Sequence, residues 1–215
     1  MSLAEKAEAR LALARSGAVL AIVGAGIAGV EAAAAARKAG FGGVIRLFGE
    51  ERELPYDRPR LSKEVLLTPG AEKGAALRSA EFYREQSIEL VLDRPVEAVD
   101  RKMRRLRLAG GEEAEFTALV LAPGSRPRTL SIFRRGANRL HHLRDMSDAL
   151  RLRAAIGPGA KVVLVGGGII GLEVAAAAVA ARAEVVMIEA APRILGRAAS
   201  PVLSAHLARA HTERG

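Results

Sequence analysis

Apolar residues run without interruption through Ala18-Val19-Leu20-Ala21-Ile22-Val23 and again through Val162-Val163-Leu164-Val165, and each run leads into a six-residue stretch with glycine at its first, third and sixth positions and then an alanine-rich stretch. A short apolar run bounded by turn residues reads as a buried strand, and the alanine-rich stretch after it reads as a helix. The first copy predicts a strand over 18–23, a helix over 27–39 stopped by Gly40, and a strand over 44–48. The second predicts a strand over 161–165, a helix over 172–182 and a strand over 184–188. Between them the pattern shortens. A helix over 79–86 and strands over 88–92, 95–99, 104–108 and 113–116, the last two joined by a Gly110-Gly111 hairpin, read as a β-meander beside the first sheet. Ser147 predicts an N-cap for a helix over 148–156, ended by Gly157-Pro158-Gly159, and a further helix starts near Pro201. Residues 1–16 alternate Ala, Leu, Glu and Arg at helical spacing and predict a short solvated helix.

The glycines carry the first chemistry. In Gly24-Ala25-Gly26-Ile27-Ala28-Gly29, Gly24 allows the tight turn, Gly26 lets the backbone approach a pyrophosphate, and Gly29 lets the helix pack close on the strand. The phosphate then meets free N–H groups and the positive dipole end of the helix. Glu50, at the end of the second strand, is placed to accept both ribose hydroxyls. Gly166-Gly167-Gly168-Ile169-Ile170-Gly171 repeats the arrangement 142 residues later, with Glu189 at the end of its second strand. Two fingerprints, each with its acid, imply two bound dinucleotides. The acid at Glu189 favours a free ribose 2′-OH, hence NADH over NADPH, while Arg193 nearby leaves the phosphorylated coenzyme open.

A chain of 215 residues has room for one large domain or two small ones. Its net charge of +9 is uneven, with 14 basic and 7 acidic side chains between Arg94 and Arg153. An acidic protein partner and nucleic acid are the two readings of such a surplus. With two Tyr, five Phe and no Trp there are few aromatic platforms for bases, and Arg101 to Leu108 alternates as a half-exposed strand does, so a solvated strand face is preferred to a nucleic-acid surface. The four histidines, His141, His142, His206 and His211, lack a second ligand at metal spacing and read as structural or solvated. The absence of cysteine removes disulfide scaffolding, thiolate metal sites and any redox-active thiol pair. The charged start is too long for a signal peptide and the apolar stretch after it carries the glycine turn, so a cytoplasmic protein with no membrane span is expected.

After the first βαβ unit comes Pro55-Tyr56-Asp57-Arg58-Pro59-Arg60-Leu61-Ser62-Lys63-Glu64-Val65-Leu66, a proline-braced loop leading into a one- or two-turn helix. Together with the fingerprint before it, this stretch resembles the FAD-binding signature of the ferredoxin reductases that serve bacterial oxygenases, a family that also includes the apoptosis-inducing factors. Within that family it is most similar to the reductase components of aromatic-ring dioxygenases such as the phenylpropionate/cinnamate system, in the pyridine nucleotide-disulfide oxidoreductase superfamily. The resemblance runs from about residue 18 to the C-terminus.

It implies an α/β fold with two Rossmann-like dinucleotide-binding domains, one for FAD and one for NAD, and a β-meander. The expected division is an N-terminal helical extension over 1–17, an FAD-binding domain over 18–143 and an NAD-binding domain over 144–215. The resemblance carries Ala28, Glu50, Arg58, Lys63, Val96 and Arg128 onto FAD contacts. It also implies that the lysine of the Leu-Ser-Lys motif, Lys63, reaches the isoalloxazine and pairs with Glu173 after the second fingerprint. A positive charge there would stabilise reduced flavin, and the carboxylate would keep it charged. Leu119-Val120-Leu121-Ala122-Pro123-Gly124 departs from the family in having Pro123 for a threonine, and Thr117 stands where an aspartate is usual, which implies weaker flavin binding.

The function implied is electron transfer from NADH through FAD to a 2Fe-2S ferredoxin, expected to be acidic, that supplies a Rieske-type dioxygenase. The lack of cysteine favours this over the disulfide, peroxide and oxygen reductases of the superfamily. A second reading is a non-catalytic flavin/NAD-binding or interaction protein, or an inactive fragment, resting on Pro123 and on a chain that stops before the next expected strand. The resemblance implies a full member about twice as long.

Overall fold

The computed structural model describes residues 17–133 and 139–215, so the helix expected over residues 1–16 lies outside the described residues. In chain order the elements are β1 (Val19–Val23), α1 (Ile27–Lys38), β2 (Val44–Phe48), a 3-10 turn (Arg58–Arg60), α2 (Glu64–Leu67), a second 3-10 turn (Ala71–Gly74), α3 (Ala80–Glu85), β3 (Ile88–Val91), β4 (Val96–Asp100), β5 (Arg105–Leu108), β6 (Glu113–Glu115), β7 (Ala118–Leu121), α4 (Met146–Ala155), β8 (Lys161–Val165), α5 (Ile169–Ala180), β9 (Glu184–Ile188) and α6 (Pro201–Thr212). They form an α/β fold in two compact units. One takes the described residues up to Asp57 and Ala76–Ser125; the other takes Arg58–Ala75 and the described residues from Arg126 onward.

The first unit is built on a four-stranded parallel sheet in the order β3-β2-β1-β7. The unbroken apolar text of β1 has a physical cause in this sheet, because both of its faces are covered. Leu20 and Ile22 face a core completed by Val30 and Ala33 of α1, Ile45 and Leu47 of β2, Tyr83 of α3 and Ile88 of β3. Ala21 and Phe48 face the other way, onto Leu106 and Leu108 of the antiparallel sheet β4-β5-β6. Arg37, at the C-terminal end of α1, donates to the carbonyls of Phe41 (2.6 Å), Gly43 (2.7 Å), Gln86 (2.6 Å) and Ser87 (2.7 Å), which ties the helix end to the α3–β3 turn.

Two sequence expectations change here. The strand expected over 88–92 is the edge strand of the parallel sheet, pairing Ile45 with Ile88 and Leu47 with Leu90, and the meander is the three strands that follow. Two alternating apolar residues that fit the α3 side of the core decide this, and short periodicity could not. The alternation expected from Arg101 begins at Arg105, because residues 101–104 turn, with the Asp100 carboxylate accepting the N–H groups of Lys102 (2.9 Å) and Met103 (2.8 Å). Arg105 and Arg107 point outward from β5. Arg105 pairs with Glu113 (3.2 Å) and Glu115 (3.0 Å), Arg107 lies 3.8 Å from Glu97, and the carboxylates hold the Arg105 guanidinium above its ordinary value, Glu115 foremost.

The chain leaves the first unit after Asp57 and re-enters at Ala76. The two ends meet, since Tyr56 bridges Ala76 and the Leu77 N–H donates to the Pro55 carbonyl (2.8 Å). In the second unit, β8 and β9 form a two-stranded parallel sheet, and Leu66 of α2, Leu152 of α4 and Val174 and Ala177 of α5 share a core. Helix α4 is capped by Asp145 where Ser147 was expected. The Asp145 carboxylate accepts the Asp148 N–H (2.8 Å) and Asp148 reaches back to the N–H of Asp145 (3.4 Å) and of Arg144 (2.9 Å), a reciprocal cap that satisfies more donors than a serine hydroxyl. Helix α5 starts at Ile169, three residues before the expected Leu172, directly on the last turn of the glycine motif. No helix among the described residues is long and apolar enough to cross a membrane.

Candidate functional site

The two glycine turns share one backbone. Gly24 and Gly166 both have φ +109°, a conformation that side chains other than hydrogen rarely adopt. Gly24 donates its N–H to Phe48 and Gly166 donates to Ile188, each reaching the last residue of the neighbouring strand. A Cβ on Gly29 would lie 1.9 Å from the Gly24 carbonyl oxygen, and one on Gly171 would lie 2.3 Å from that of Gly166, so the first helical turn presses against the turn before it. At Gly26 and Gly168 a Cβ would meet nothing within 4 Å. These middle glycines are the N-caps of α1 and α5, neither helix has a side-chain cap, and neither carries an acid in its first turn. The turns thus present backbone N–H groups and a positive dipole end to open space, an arrangement whose chemistry fits a pyrophosphate.

The acids after the second strands differ in surroundings. Glu50 is exposed and follows Gly49, whose N–H is held by the Val91 carbonyl (2.9 Å). Glu189 turns inward to its own loop and accepts the N–H of Ala191 (2.7 Å) and of Gly167 (2.6 Å). These backbone donors, Ala191 foremost, hold its carboxyl below the ordinary glutamate value. Arg193 is also turned to backbone, donating to the carbonyls of Ala199 (2.7 Å) and Gly196 (2.9 Å).

Of the remaining candidates, Ala28 is exposed on the first turn of α1 and Val96 opens β4 at the bulge against Leu108. Arg58 donates to the Arg144 carbonyl (2.5 Å), and Arg128 stands exposed on the irregular segment after Ser125. Gly24, Gly26, Ala28, Gly29, Glu50 and Val96 belong to the first unit; Arg58, Lys63, Arg128, Gly166, Gly168, Gly171, Glu173 and Glu189 belong to the second. Thr117 has a structural use, since its hydroxyl accepts the Val19 N–H (3.0 Å) at the head of β1.

Lys63 and Glu173 are brought together, with Nζ 3.1 Å from Oε1. Lys63 precedes α2 and also donates to the Pro59 carbonyl (3.2 Å), so two acceptors hold the ammonium. Glu173 sits on the second turn of α5 between the buried Leu172 and Val174. Two residues at this place escaped the sequence reading. The Ser62 hydroxyl donates to the second oxygen of Glu173, and Arg153 of α4 reaches under α2 to the carbonyls of Val65 (2.9 Å) and Thr68 (3.1 Å) and to Glu72 (3.1 Å). Carbonyls at a helix C-terminus have no partner within the helix, and a guanidinium supplies one. Neither residue lies at a spacing that betrays it. Ser62 and Glu173 are 111 residues apart, and Arg153 and Val65 are 88 apart.

Residues 19–215 match the pyridine nucleotide-disulphide oxidoreductase family. The chain is 46% identical, over 194 residues, to the ferredoxin–NAD(+) reductase component of the p-cumate 2,3-dioxygenase system of Pseudomonas putida, covering 90% of this chain and 48% of that protein. It is 39% identical to the ferredoxin–NAD(+) reductase component of 3-phenylpropionate/cinnamic acid dioxygenase of Photorhabdus laumondii, covering 90% and 49%. Among solved structures it resembles the covalent putidaredoxin reductase–putidaredoxin complex, with a TM-score of 0.87 at 36% identity over 94% of this chain and 49% of that one. The chain spans about half the length of the curated relatives it matches. With two glycine turns of one backbone geometry and a family match that takes in both, the chain belongs to the pyridine nucleotide-disulphide oxidoreductases.

Proposed function

We propose that this chain belongs to an FAD-dependent reductase that takes electrons from NADH and passes them to a 2Fe-2S ferredoxin of an aromatic-ring dioxygenase system. The observation that carries the proposal is the pair of open, uncapped glycine turns of identical backbone, set beside relatives whose names describe this activity. In this reading residues 18–143 supply the FAD-binding domain and 144–215 the NAD-binding domain. FAD is assigned to the turn at Gly24, Gly26 and Gly29 with Glu50, and the resemblance adds Ala28, Arg58, Lys63, Val96 and Arg128. NAD is assigned to Gly166, Gly168 and Gly171 with Glu189.

When bound, a flavin supplies the chemistry that turns a two-electron donor into a one-electron donor. The chain supplies position and charge. The N-termini of α1 and α5 hold anionic phosphate by backbone N–H groups, and Lys63 holds a positive charge whose position is set by Pro59 and Glu173. Glu189, kept ionised by Ala191 and Gly167, repels a 2′-phosphate, and Arg193 has its guanidinium engaged by backbone carbonyls, which favours NADH over NADPH. The basic surplus suits an acidic ferredoxin, and a cytoplasmic location belongs to the same proposal.

The test is a visible spectrum of the purified natural protein and its NADH-driven reduction of a 2Fe-2S ferredoxin. Bound FAD, with a larger kcat/KM for NADH than for NADPH, is the expected result. A yellow protein that oxidises NADH slowly and reduces no ferredoxin would favour the non-catalytic reading, whose motivating feature is Pro123 beside the first glycine turn, with its Cα 3.1 Å from where a Gly24 Cβ would stand.

A further inference from the structure

We propose that Ser62 is a positioning residue for the ammonium of Lys63: its hydroxyl holds one oxygen of Glu173 so that the other faces Lys63. The inference rests on the reductase reading for its meaning in catalysis, and on geometry alone for its existence.

A lysine–glutamate pair whose side chains are 49% and 27% exposed is a poor candidate for a fixed geometry. Both side chains have several rotamers, water competes for each charge, and such pairs contribute little when left to themselves. Ser62 changes this because it cannot follow them into solvent. It is 5% exposed, its neighbour Leu61 is 3% exposed, and Val65 and Leu66 in the next turn are buried. The backbone around it is also held, with the N–H of Lys63 on the Arg60 carbonyl (3.2 Å) and the N–H of Leu61 on the Arg58 carbonyl (2.9 Å). Arg153 fixes the far end of α2 through the carbonyls of Val65 and Thr68.

A serine hydroxyl has one proton to donate. Its two acceptors here are the Pro59 carbonyl at 3.5 Å and the Glu173 carboxylate, which is much nearer and charged, so the proton goes to Glu173. Glu173 is anchored at its base by the buried Leu172 and Val174 and at its tip by Ser62. Its free oxygen then has one direction left, and Lys63 Nζ lies there at 3.1 Å. The same Nζ is held from the other side by Pro59. Ser62 therefore sets the position of a charge it does not touch.

The readout is the reactivity of the lysine itself. The natural protein and its variants are treated briefly with acetic anhydride, and the acetylation of Lys63 is measured by mass spectrometry relative to Lys73 and Lys102 in the same molecules. Ser62→Ala should raise the relative rate at Lys63 by about two- to fivefold, the size expected for loosening one partly exposed ion pair. Glu173→Gln should raise it at least as much, and the double variant no further than Glu173→Gln alone, because both substitutions break one chain of contacts. Ser62→Cys, close in size and a weaker donor, should fall between the natural protein and Ser62→Ala.

An unchanged ratio in Ser62→Ala beside a raised ratio in Glu173→Gln would overturn the proposal, as would effects that simply add. If Ser62→Ala fails to fold, shown by loss of the cooperative thermal melt of the natural protein, the Ser62→Cys ratio decides alone. Labelling requires no turnover, so a protein that shows the expected ratios and holds no flavin would remove the reductase reading and leave the role of Ser62 standing.

Discussion

The two glycine turns repeat the same backbone in different surroundings. Around Gly24 the strands are closed in on both faces: Val23 and Phe48, register partners at the ends of β1 and β2, pack toward the meander, and Phe48 is 2% exposed. Around Gly166 the partners at the same places are Val165 and Ile188, 51% and 53% exposed. Val163 and Val186, two residues earlier on each strand, are 60% and 59% exposed. Local text decided the turn in both cases, since φ +109° recurs at both first glycines and both third glycines seat on the first carbonyl. Burial was decided by what other segments bring. The first unit receives β5 with Leu106 and Leu108 on that face, and among the described residues of the second unit no strand covers the corresponding face.

The largest expected contrast follows from this. Phe48→Ala should lower stability by about 3–5 kcal/mol through lost burial and the cavity left behind. Ile188→Ala, at the matched position, should stay within about 0.5 kcal/mol, as exposed sites do. Denaturant unfolding read by hydrogen exchange, which separates the units, would show it, and equal losses at the two positions would break the comparison.

Next come the first glycines themselves. Gly166→Ala carries only the backbone strain of about 1–3 kcal/mol, because a Cβ there meets nothing within 4 Å. Gly24→Ala carries the same strain plus about 1–3 kcal/mol of overpacking, since its Cβ would stand 2.0 Å from the Ala122 carbonyl oxygen and backbone cannot step aside as a side chain can. Midpoint shifts of the two variants in urea measure the difference.

A smaller effect separates the helix ends. After α1 the left-handed residue is Gly40 at φ +84°, and after α5 it is Arg182 at φ +63°. Arg182→Gly should stabilise by about 0.5 kcal/mol, the relief of a left-handed side chain less the extra freedom of glycine in the unfolded chain, and Gly40→Ala should destabilise by about 1 kcal/mol. Thermal melts of both would sharpen the comparison by showing that the first copy has the better stop.

The smallest effect is one of pH. Glu189 has its carboxyl lowered in the folded state by the N–H groups of Ala191 and Gly167. Its contribution is therefore fully present above the unfolded value of 4.5 and is lost as pH falls through the folded value. Glu189→Gln should flatten the acid limb of hydrogen-exchange protection in β8 and β9 and leave that of β1 and β2 unchanged.

Much of this was legible in the sequence, and the reasons differ from residue to residue. The glycines at 24, 29, 166 and 171 were readable because each answers a local demand, a left-handed backbone or a close approach of backbone within a few residues, whereas Gly26 and Gly168 meet no neighbour and came forward from the repeated fingerprint. The edge strand at 88–91 was misplaced because a four-residue strand carries too little periodicity to say which sheet it joins. Asp145 was overlooked as a cap because the reciprocal bond with Asp148 uses an acid where a hydroxyl is the commoner signal. Lys63 and Glu173 came forward from resemblance to a family and not from spacing. Ser62 and Arg153 did not come forward at all, because each acts on a partner in a distant part of the chain.

The meeting of the chain at Tyr56 and Ala76 has a further consequence, in polymer terms. Residues 58–75 are a closed loop whose mouth is stitched by the Tyr56–Ala76 bridge and the Pro55–Leu77 hydrogen bond. Bringing together the ends of a flexible loop this long costs ~2.5 kcal/mol from its length alone. Here that cost falls on the first unit, and the segment that carries Ser62 and Lys63 meets its remaining ordering through its packing in the second unit. The same closure separates two effects: exchange of the segment for another loop of similar span would leave the strand connections of the first sheet as they are, and would take Leu66 and the partners of Glu173 and Arg153 out of the second unit.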